Sequence, residues 1–393
     1  MIHRDYLFVG AGLTAFHACQ SLRQYDPKGS VMLVGDDHFP PHQLPVMDKT
    51  WFKEGITNPE SISVVPPGWF QENKVDYRPS SLVTQFNIER RLAVLSTGQT
   101  IEFKKALLAT GSRPKRPQIA GFNLGNIIYP RSTHDLGAIR EISTHEKGCV
   151  VIGSGLAGLQ YAAALKSSNH NVILLSGDKF LLDGLVDAPT GQFLNDYALA
   201  HGLKLTLEEN LNGFEGKTVL KNIQLKSGTR FSAGMAVVAL GSEPDLRLVT
   251  GTPLSSPNGC PVNEYLETDE KGIYAAGPIT LFPDRIFGSV RRWDYPSCAA
   301  LQGQTAGANI TGRKRQKFEY LPEFGLDFFD LKLRFLGDFS KPILRTHLDG
   351  DYAKKEFTLT CLQGDKVVAT VLCNRTQEAQ EAAAQQIRTS FKV

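Results

Sequence analysis

The chain has 393 residues, 41% of them hydrophobic and 21% charged, the make-up of an ordinary globular protein long enough for two or three domains. Its formal net charge of +3 is too small to argue for nucleic acid, and no apolar run approaches the ~18 residues of a membrane-crossing helix. The six cysteines (Cys19, Cys149, Cys260, Cys298, Cys361, Cys373) are scattered and never form C-x-x-C, a spacing that suits a reducing compartment rather than a disulfide framework or a metal site. Because a strand is expected within the first few residues, no signal peptide is expected, and the cytoplasm is the default location.

In chain order, Leu7 to Val9 read as a buried parallel strand and Phe16, Cys19 and Leu22 as the face of a helix. Between them Gly10-x-Gly12-x-x-Ala15 is the tight turn of a dinucleotide-binding βαβ unit. Gly10 permits the turn, Gly12 lets backbone approach a pyrophosphate, and Ala15 lets helix and strand pack closely. The helix N-terminus offers unpaired N–H groups and positive dipole to phosphate. A second strand, Val31–Val34, ends in Gly35-Asp36, and a carboxylate at that distance suits a ribose hydroxyl. The proline-rich stretch from Pro40 to Lys49 then reads as irregular loop, with Lys49 its one cation.

Short β-type runs fill residues 75–111 and end in Ala106-Leu-Leu-Ala109-Thr110-Gly111-Ser-Arg113-Pro114, an exit from one domain into a plausible linker, Pro114-Lys-Arg-Pro117. The opening pattern then recurs. Cys149–Ile152 is a strand, Gly153-Ser-Gly155-Leu-Ala-Gly158 is a full glycine turn, a helix follows, and Val172–Leu175 is the next strand. The first glycines lie 153 − 10 = 143 residues apart, so this is a second dinucleotide fold. Its second strand ends in Ser176-Gly177, where an NAD-type site usually carries Asp or Glu. Ser176 could accept a 2′-phosphate or pair with a hydroxyl, and Lys179 could favour a phosphate or face solvent; NADH, NADPH and a site that binds neither stay open at this point.

A near-copy of the first exit, Ala236-Val-Val-Ala-Leu240-Gly241-Ser-Glu-Pro244, closes the second unit. Gly272–Gly277 follows as a strand ending in glycine, then a helical run from about Cys298 to Ile310. The basic run Arg313 to Lys317 reads as solvated surface. Beyond about 319, Lys332–Leu336, Glu356–Cys361 and Lys366–Leu372 read as antiparallel strands and Gln377–Ile387 as a terminal helix, together an α+β domain.

These residues together resemble the rubredoxin/ferredoxin reductase and apoptosis-inducing-factor-like branch of the FAD-dependent pyridine nucleotide-disulfide oxidoreductases, and also monodehydroascorbate reductase. The likeness rests on both glycine turns, the loop His42 to Lys49, the Leu-Ala-Thr-Gly-Ser-Arg-Pro exit, Tyr274-Ala-Ala-Gly277 and the stretch from Leu281 to Ile310. It implies an α/β fold of two Rossmann-like domains in a glutathione-reductase-like arrangement. The FAD-binding domain would comprise 1–113 and 243–316, the NAD(P)H-binding domain 114–242, and an α+β interface domain 317–393. Hydride would pass from NADH or NADPH to FAD, and electrons onward to a ferredoxin, a rubredoxin or a small redox acceptor. The chain would be a monomer or homodimer. FAD would be held by Gly10, Gly12, Ala15, Asp36, Lys49, Ala109, Thr110, Gly111, Arg113, Gly277 and Pro278, the nicotinamide nucleotide by Gly153, Gly155, Gly158, Ser176 and Gly241. Lys49 and Gln160 would flank the reacting rings.

The chain departs from that family in three places. Gln160 stands for a glutamate paired with Lys49, Ser176 for the ribose acid, and Pro278 for the aspartate that holds the ribityl chain; proline offers neither side-chain acceptor nor N–H. Two further family positions, a flavin-side aromatic and a tryptophan, would fall at Pro296 and Gly325. The losses motivate an alternative, a flavoprotein with a degenerate nicotinamide site acting mainly in interaction or redox sensing. A disulfide- or peroxide-reducing chemistry is disfavoured because the loop from Pro40 to Lys49 holds no cysteine.

Overall fold

The computed structural model describes residues 1–43, 49–55, 59–146, 148–340 and 345–392, the side chains at 49, 50, 53 and 59 excepted. The elements that position the site are, in chain order, β1 (Ile2–Val9), α1 (Leu13–Tyr25), β2 (Val31–Val34), β3 (Val75–Arg78), β4 (Thr100–Leu108), β5 (Gly148–Ile152), α2 (Leu156–Ser167), β6 (Asn171–Leu175), β7 (Met235–Val238), β8 (Ile273–Ala275) and α3 (Pro296–Ile310). The fold is mixed α/β. The chain divides into two compact units, one of Met1–Leu44, Ile56–Arg113 and Ser242–Tyr320, the other of Pro45–Gly55, Pro114–Gly241 and Leu321–Val393.

In the first unit a parallel sheet runs β3-β2-β1-β4 with β8 beside β4, and an antiparallel hairpin, Val83–Asn87 with Leu92–Leu95, extends its edge. Tyr6–Val9, Val31–Val34 and Ala106–Leu108 are apolar on both sides because both faces are covered there. Tyr6, Phe8, Leu33 and Leu107 meet Ala15, Cys19 and Leu22 of α1 and Ala306 and Ile310 of α3. Leu7, Val9, Met32 and Leu108 alternate with them into a second core containing Val249, Leu254 and Ile279. Helices α1 and α3 touch backbone to backbone: a Cβ at Gly303 would lie 2.2 Å from the Thr14 carbonyl oxygen, and one at Gly307 2.2 Å from that of Ala18.

In the second unit a five-stranded parallel sheet runs Lys204–Thr206, β6, β5, β7, Ile127–Ile128. A second, antiparallel sheet is formed by the C-terminal strands, in the order Glu323–Phe328, Leu331–Gly337, Lys366–Cys373, Glu356–Gln363, Arg345–Asp351, with the helix Gln377–Phe391 packed on it. The expected terminal helix thus runs one turn past Ile387, and α3 begins at Pro296, where proline suits the first helical turn.

Two expectations gain detail: Arg313, Lys314, Arg315 and Lys317 are exposed, as expected of solvated surface, and residues 115–117 follow a break between compact units, as expected of a linker. The linker leaves a short strand, Ser112–Pro114, that pairs with Ser242–Pro244. The exposed basic run also makes local contacts: Arg313 donates to the Tyr25 carbonyl at 2.7 Å, Lys317 pairs with Glu264 at 2.9 Å, and the Arg315 guanidinium lies 4.1 Å from the Tyr265 ring centre.

Candidate functional site

The two glycine turns are built alike, bond for bond. Gly10 N–H donates to the Val34 carbonyl at 2.8 Å, and Ala109 N–H to that of Val9 at 2.7 Å; Gly153 N–H donates to Leu175 at 2.9 Å, and Ala239 N–H to Ile152 at 2.8 Å. Both turn residues must be glycine. Gly10 has φ +99° and a Cβ there would fall 2.2 Å from the Ala109 carbonyl oxygen; Gly153 has φ +115° and would meet that of Ala239 at 2.4 Å. A Cβ on Gly158 would fall 1.9 Å from the Gly153 carbonyl oxygen, so helix and turn are in contact there.

The second glycines behave differently. A Cβ on Gly12 or Gly155 would meet nothing within 4 Å, so internal packing does not demand glycine at either place. Both are N-caps, of α1 and α2, and neither helix has a side-chain cap. The helices that begin after Ser132, Asp187 and Thr376 are each capped by that residue's side chain. Open space beside uncapped N–H groups is what an approaching pyrophosphate needs, and FAD fits the first turn on that observation.

The crossing strands add a polar cluster. The Asp294 carboxylate accepts from both the Ser112 and the Ser242 hydroxyl at 2.5 Å, and Arg292 donates to the carbonyls of Ser242 at 2.9 Å and Pro278 at 3.2 Å. The Thr110 hydroxyl donates to the Asp245 carbonyl at 2.8 Å, Asp245 N–H to that of Gly111 at 3.0 Å, and Arg113 pairs with Glu243 at 2.8 Å. Pro278 is buried at the end of this cluster. The preceding Gly277 has φ +81°, and its N–H donates to Gln302 Oε1 at 2.6 Å. Gln302 is 1% exposed, and its Nε2 has no partner among the described residues. A buried amide donor left over beside Gly277 and Thr14 is a second feature that suits FAD oxygens.

Asp36 is exposed just past β2, in the field of Arg247, whose own strong partner is Asp245. Ala15 is fully buried. Gly241 is exposed, with φ +88°. Gln160 is exposed on α2. Lys49 begins a short helix, Lys49–Glu54, but its side chain lies outside the described residues, so its expected pairing with Gln160 does too. Pro296 is exposed at the start of α3, and Gly325 lies on a C-terminal strand opposite Arg334.

Beside the second turn opens a cavity of about 180 Å³ lined by Pro117, Ile119, Ile152, Leu175, Leu211 and Leu240, with Ser176, Gly177, Glu209 and Asn210 at its polar side. Ser176 is 7% exposed, and its hydroxyl donates to Asp178 Oδ2 at 2.8 Å. Sequence reasoning missed Asp178 and Gln302. The first had a signal, an acid two residues past the place where one was missing; the second had none. Among the described residues no group of three or more His, Cys, Asp or Glu could hold a metal ion, and no helix is long and apolar enough to cross a membrane.

Residues 4–302 match the family described as pyridine nucleotide-disulphide oxidoreductase. The chain belongs to that family. It is an FAD- and nicotinamide-nucleotide-dependent oxidoreductase. It is 28% identical over 380 residues to putidaredoxin reductase of Pseudomonas putida, covering 95% of this chain and 89% of that one. It is 25% identical over 372 residues to a rubredoxin-NAD(+) reductase of the same organism, covering 94% and 95%. The reductase in a solved covalent putidaredoxin reductase–putidaredoxin complex shares its fold with a TM-score of 0.90, at 26% identity over 98% of this chain and 94% of that one.

Proposed function

We propose that this oxidoreductase takes hydride from a nicotinamide nucleotide bound at the second glycine turn and delivers electrons, through FAD bound at the first, to a small carrier protein of the ferredoxin or rubredoxin type. The observation that carries the reading is the doubled turn, with the same hydrogen bonds at Gly10 and Gly153 and the same uncapped helix at Gly12 and Gly155. Bound FAD would supply the conversion of a two-electron donor into single electrons.

This chain's own residues do the binding and aligning. The N–H groups that open α1 and α2 would each face a pyrophosphate, Asp36 the FAD ribose, and Gln302 with the Gly277 backbone the chain between phosphate and ring. Arg292, anchored on the Pro278 and Ser242 carbonyls, stiffens the segment where the family's aspartate is missing. Lys49 and Gln160 remain our assignment for the groups beside the reacting rings. We assign FAD binding to 1–113 and 243–316, nucleotide binding to 114–242 and an interface role to 317–393; the unit breaks after Arg113 and Gly241 support the first two, while Pro45–Gly55 and Leu321–Val393 group with Pro114–Gly241 in one compact unit. A reducing compartment such as the cytoplasm suits six buried, unpaired cysteines. The non-enzymatic alternative has no support among the relatives named above, each of which is a reductase.

The test is anaerobic rapid mixing of the FAD-loaded protein with NADH and, separately, NADPH, following the oxidised-flavin band. Bleaching by one of them, reversed on adding a ferredoxin or rubredoxin, is the expected result. Flavin that stays oxidised under both nucleotides overturns the reading.

A further inference from the structure

The end of β6 carries an arrangement with no counterpart at the end of β2. The Ser176 hydroxyl donates to Asp178 Oδ2 at 2.8 Å and accepts from the Asp178 N–H at 3.2 Å. Ser154, the middle residue of the glycine turn and 2% exposed, donates its hydroxyl to the same Oδ2 and lies 3.1 Å from Ser176 Oγ. Both serine side chains are buried and occupied, whereas Asp178 is exposed, and its Oδ1 receives no hydrogen bond from the described residues. Asp178 is therefore a solvent-facing carboxylate held by two hydroxyls, one from the cavity rim and one from the phosphate-facing turn.

We infer that Asp178, clamped by Ser154 and Ser176, takes over the ribose contact that Ser176 cannot make, and thereby selects NADH over NADPH. The inference rests on the proposed nicotinamide-nucleotide site at the second turn. An adenosine diphosphate that sets its purine against Pro117, Ile119, Leu211 and Leu240, and its phosphates at Gly155, must pass its ribose between them. Asp178 joins those two places through Ser176 and Ser154. A carboxylate there accepts from ribose hydroxyls, and it repels a 2′-phosphate. Glu209 on the cavity wall adds a second negative charge, and no Lys or Arg lines the cavity among the described residues. Lys179, the cation a 2′-phosphate would need, instead sets its Nζ 5.4 Å from the Phe180 ring centre.

The experiment is calorimetric titration of the FAD-loaded protein with ADP-ribose and with 2′-phospho-ADP-ribose, which reads binding without turnover. The wild type is expected to bind ADP-ribose at least about tenfold more tightly, the scale of one charge-assisted hydrogen bond. Asp178→Asn should erase most of that preference with an unchanged melting temperature, since the residue is exposed. Ser154→Ala, which removes half of the clamp, should erase part of it, and Glu209→Gln less than Asp178→Asn. Equal binding of the two ligands by the wild type, a preference for the phosphorylated one, or a preference untouched by Asp178→Asn overturns the inference and leaves the reductase reading standing. Failure of both ligands to bind overturns it together with the assignment of the second turn.

Discussion

Gln302 on α3 accepts a hydrogen bond from the Gly277 N–H at 2.6 Å through one end of its buried amide, while the other end, Nε2, has no acceptor among the described residues. One half of the side chain fixes the backbone just before Pro278, and the other half is left for a ligand. Gln302→Leu strips both. Leaving the Gly277 N–H unpaired should cost the apoprotein about 1–3 kcal/mol. The FAD-loaded protein should lose more, because a ligand contact goes as well, and FAD affinity should drop about tenfold. Paired melting curves of apoprotein and holoprotein check this; equal losses in both would mean that the amide serves only Gly277.

The first and second glycines of the FAD turn should fail for different reasons. Gly10→Ala puts a Cβ 2.2 Å from the Ala109 carbonyl oxygen at φ +99°, and the apoprotein should lose ~2–4 kcal/mol or not accumulate. Gly12→Ala meets no protein atom within 4 Å, so apoprotein stability should change by under about 1 kcal/mol while FAD binding weakens at least about tenfold. Urea unfolding of the apoproteins and FAD fluorescence titration separate the two. A Gly12→Ala protein that binds FAD like wild type would show that the space beside α1 is not where the pyrophosphate lies.

What the sequence revealed and what it hid divide along one line. Gly10, Gly153 and Gly158 were legible because a positive φ or a backbone contact admits only glycine, and such a demand is written locally. The runs Leu7–Val9, Val31–Val34, Cys149–Ile152 and Val172–Leu175 were legible because strands covered on both faces are apolar there without a break. Asp178 showed only as an acid two residues past Ser176, since the clamp that holds it depends on Ser154, 24 residues earlier, reaching the same carboxylate oxygen. The Asp294 cluster joins serines 182 and 52 residues away in the chain, and Gln302 reaches Gly277 only because glycines 303 and 307 let α3 settle on α1. Lys49, which the family resemblance sets beside the reacting rings, has its side chain outside the described residues.

The thiols should be inert in the native protein. All six cysteines are buried and unpaired, and burial pushes every thiol up, those of Cys260, Cys361 and Cys373 to about 12. Thiolate is the reactive form, so a chromogenic disulfide reagent should titrate fewer than one thiol per chain before unfolding and six in denaturant. Fast reaction of one native thiol would revive a thiol-based chemistry that the loop from Pro40 to Lys49 argues against.

In the first unit Arg291 and Asp284 form an ion pair at 3.1 Å with side chains only 7% and 2% exposed, and Asp284 also accepts from the backbone N–H groups of Ile286 and Phe287. Removing the Asp284 carboxylate takes a charged partner from the buried Arg291 guanidinium. Asp284→Asn should therefore destabilise the protein by about 3–5 kcal/mol, far more than replacement of an exposed pair. Chemical unfolding of Asp284→Asn beside Glu264→Gln, which breaks the exposed contact to Lys317, gives the comparison. Similar losses for the two would mean that Arg291 finds another acceptor.

Acid sensitivity should trace in part to Asp5. The Lys104 ammonium at 2.7 Å, then the Ser30 N–H at 2.8 Å and hydroxyl at 2.7 Å, hold its carboxyl down from 3.8 to about 2. A folded-state value below the unfolded one stabilises the fold above about pH 4, and the gain disappears as pH falls towards 2. Lys104 is 80% and Asp5 34% exposed, so screening reduces the gain to about 1 kcal/mol. Asp5→Asn should be less stable than wild type by that amount at pH 7, and the gap should close between pH 4 and 2. Unfolding midpoints across that range measure it. A gap that stays constant with pH would assign the contribution to the Ser30 hydrogen bonds, which asparagine can keep only in part, rather than to the charge.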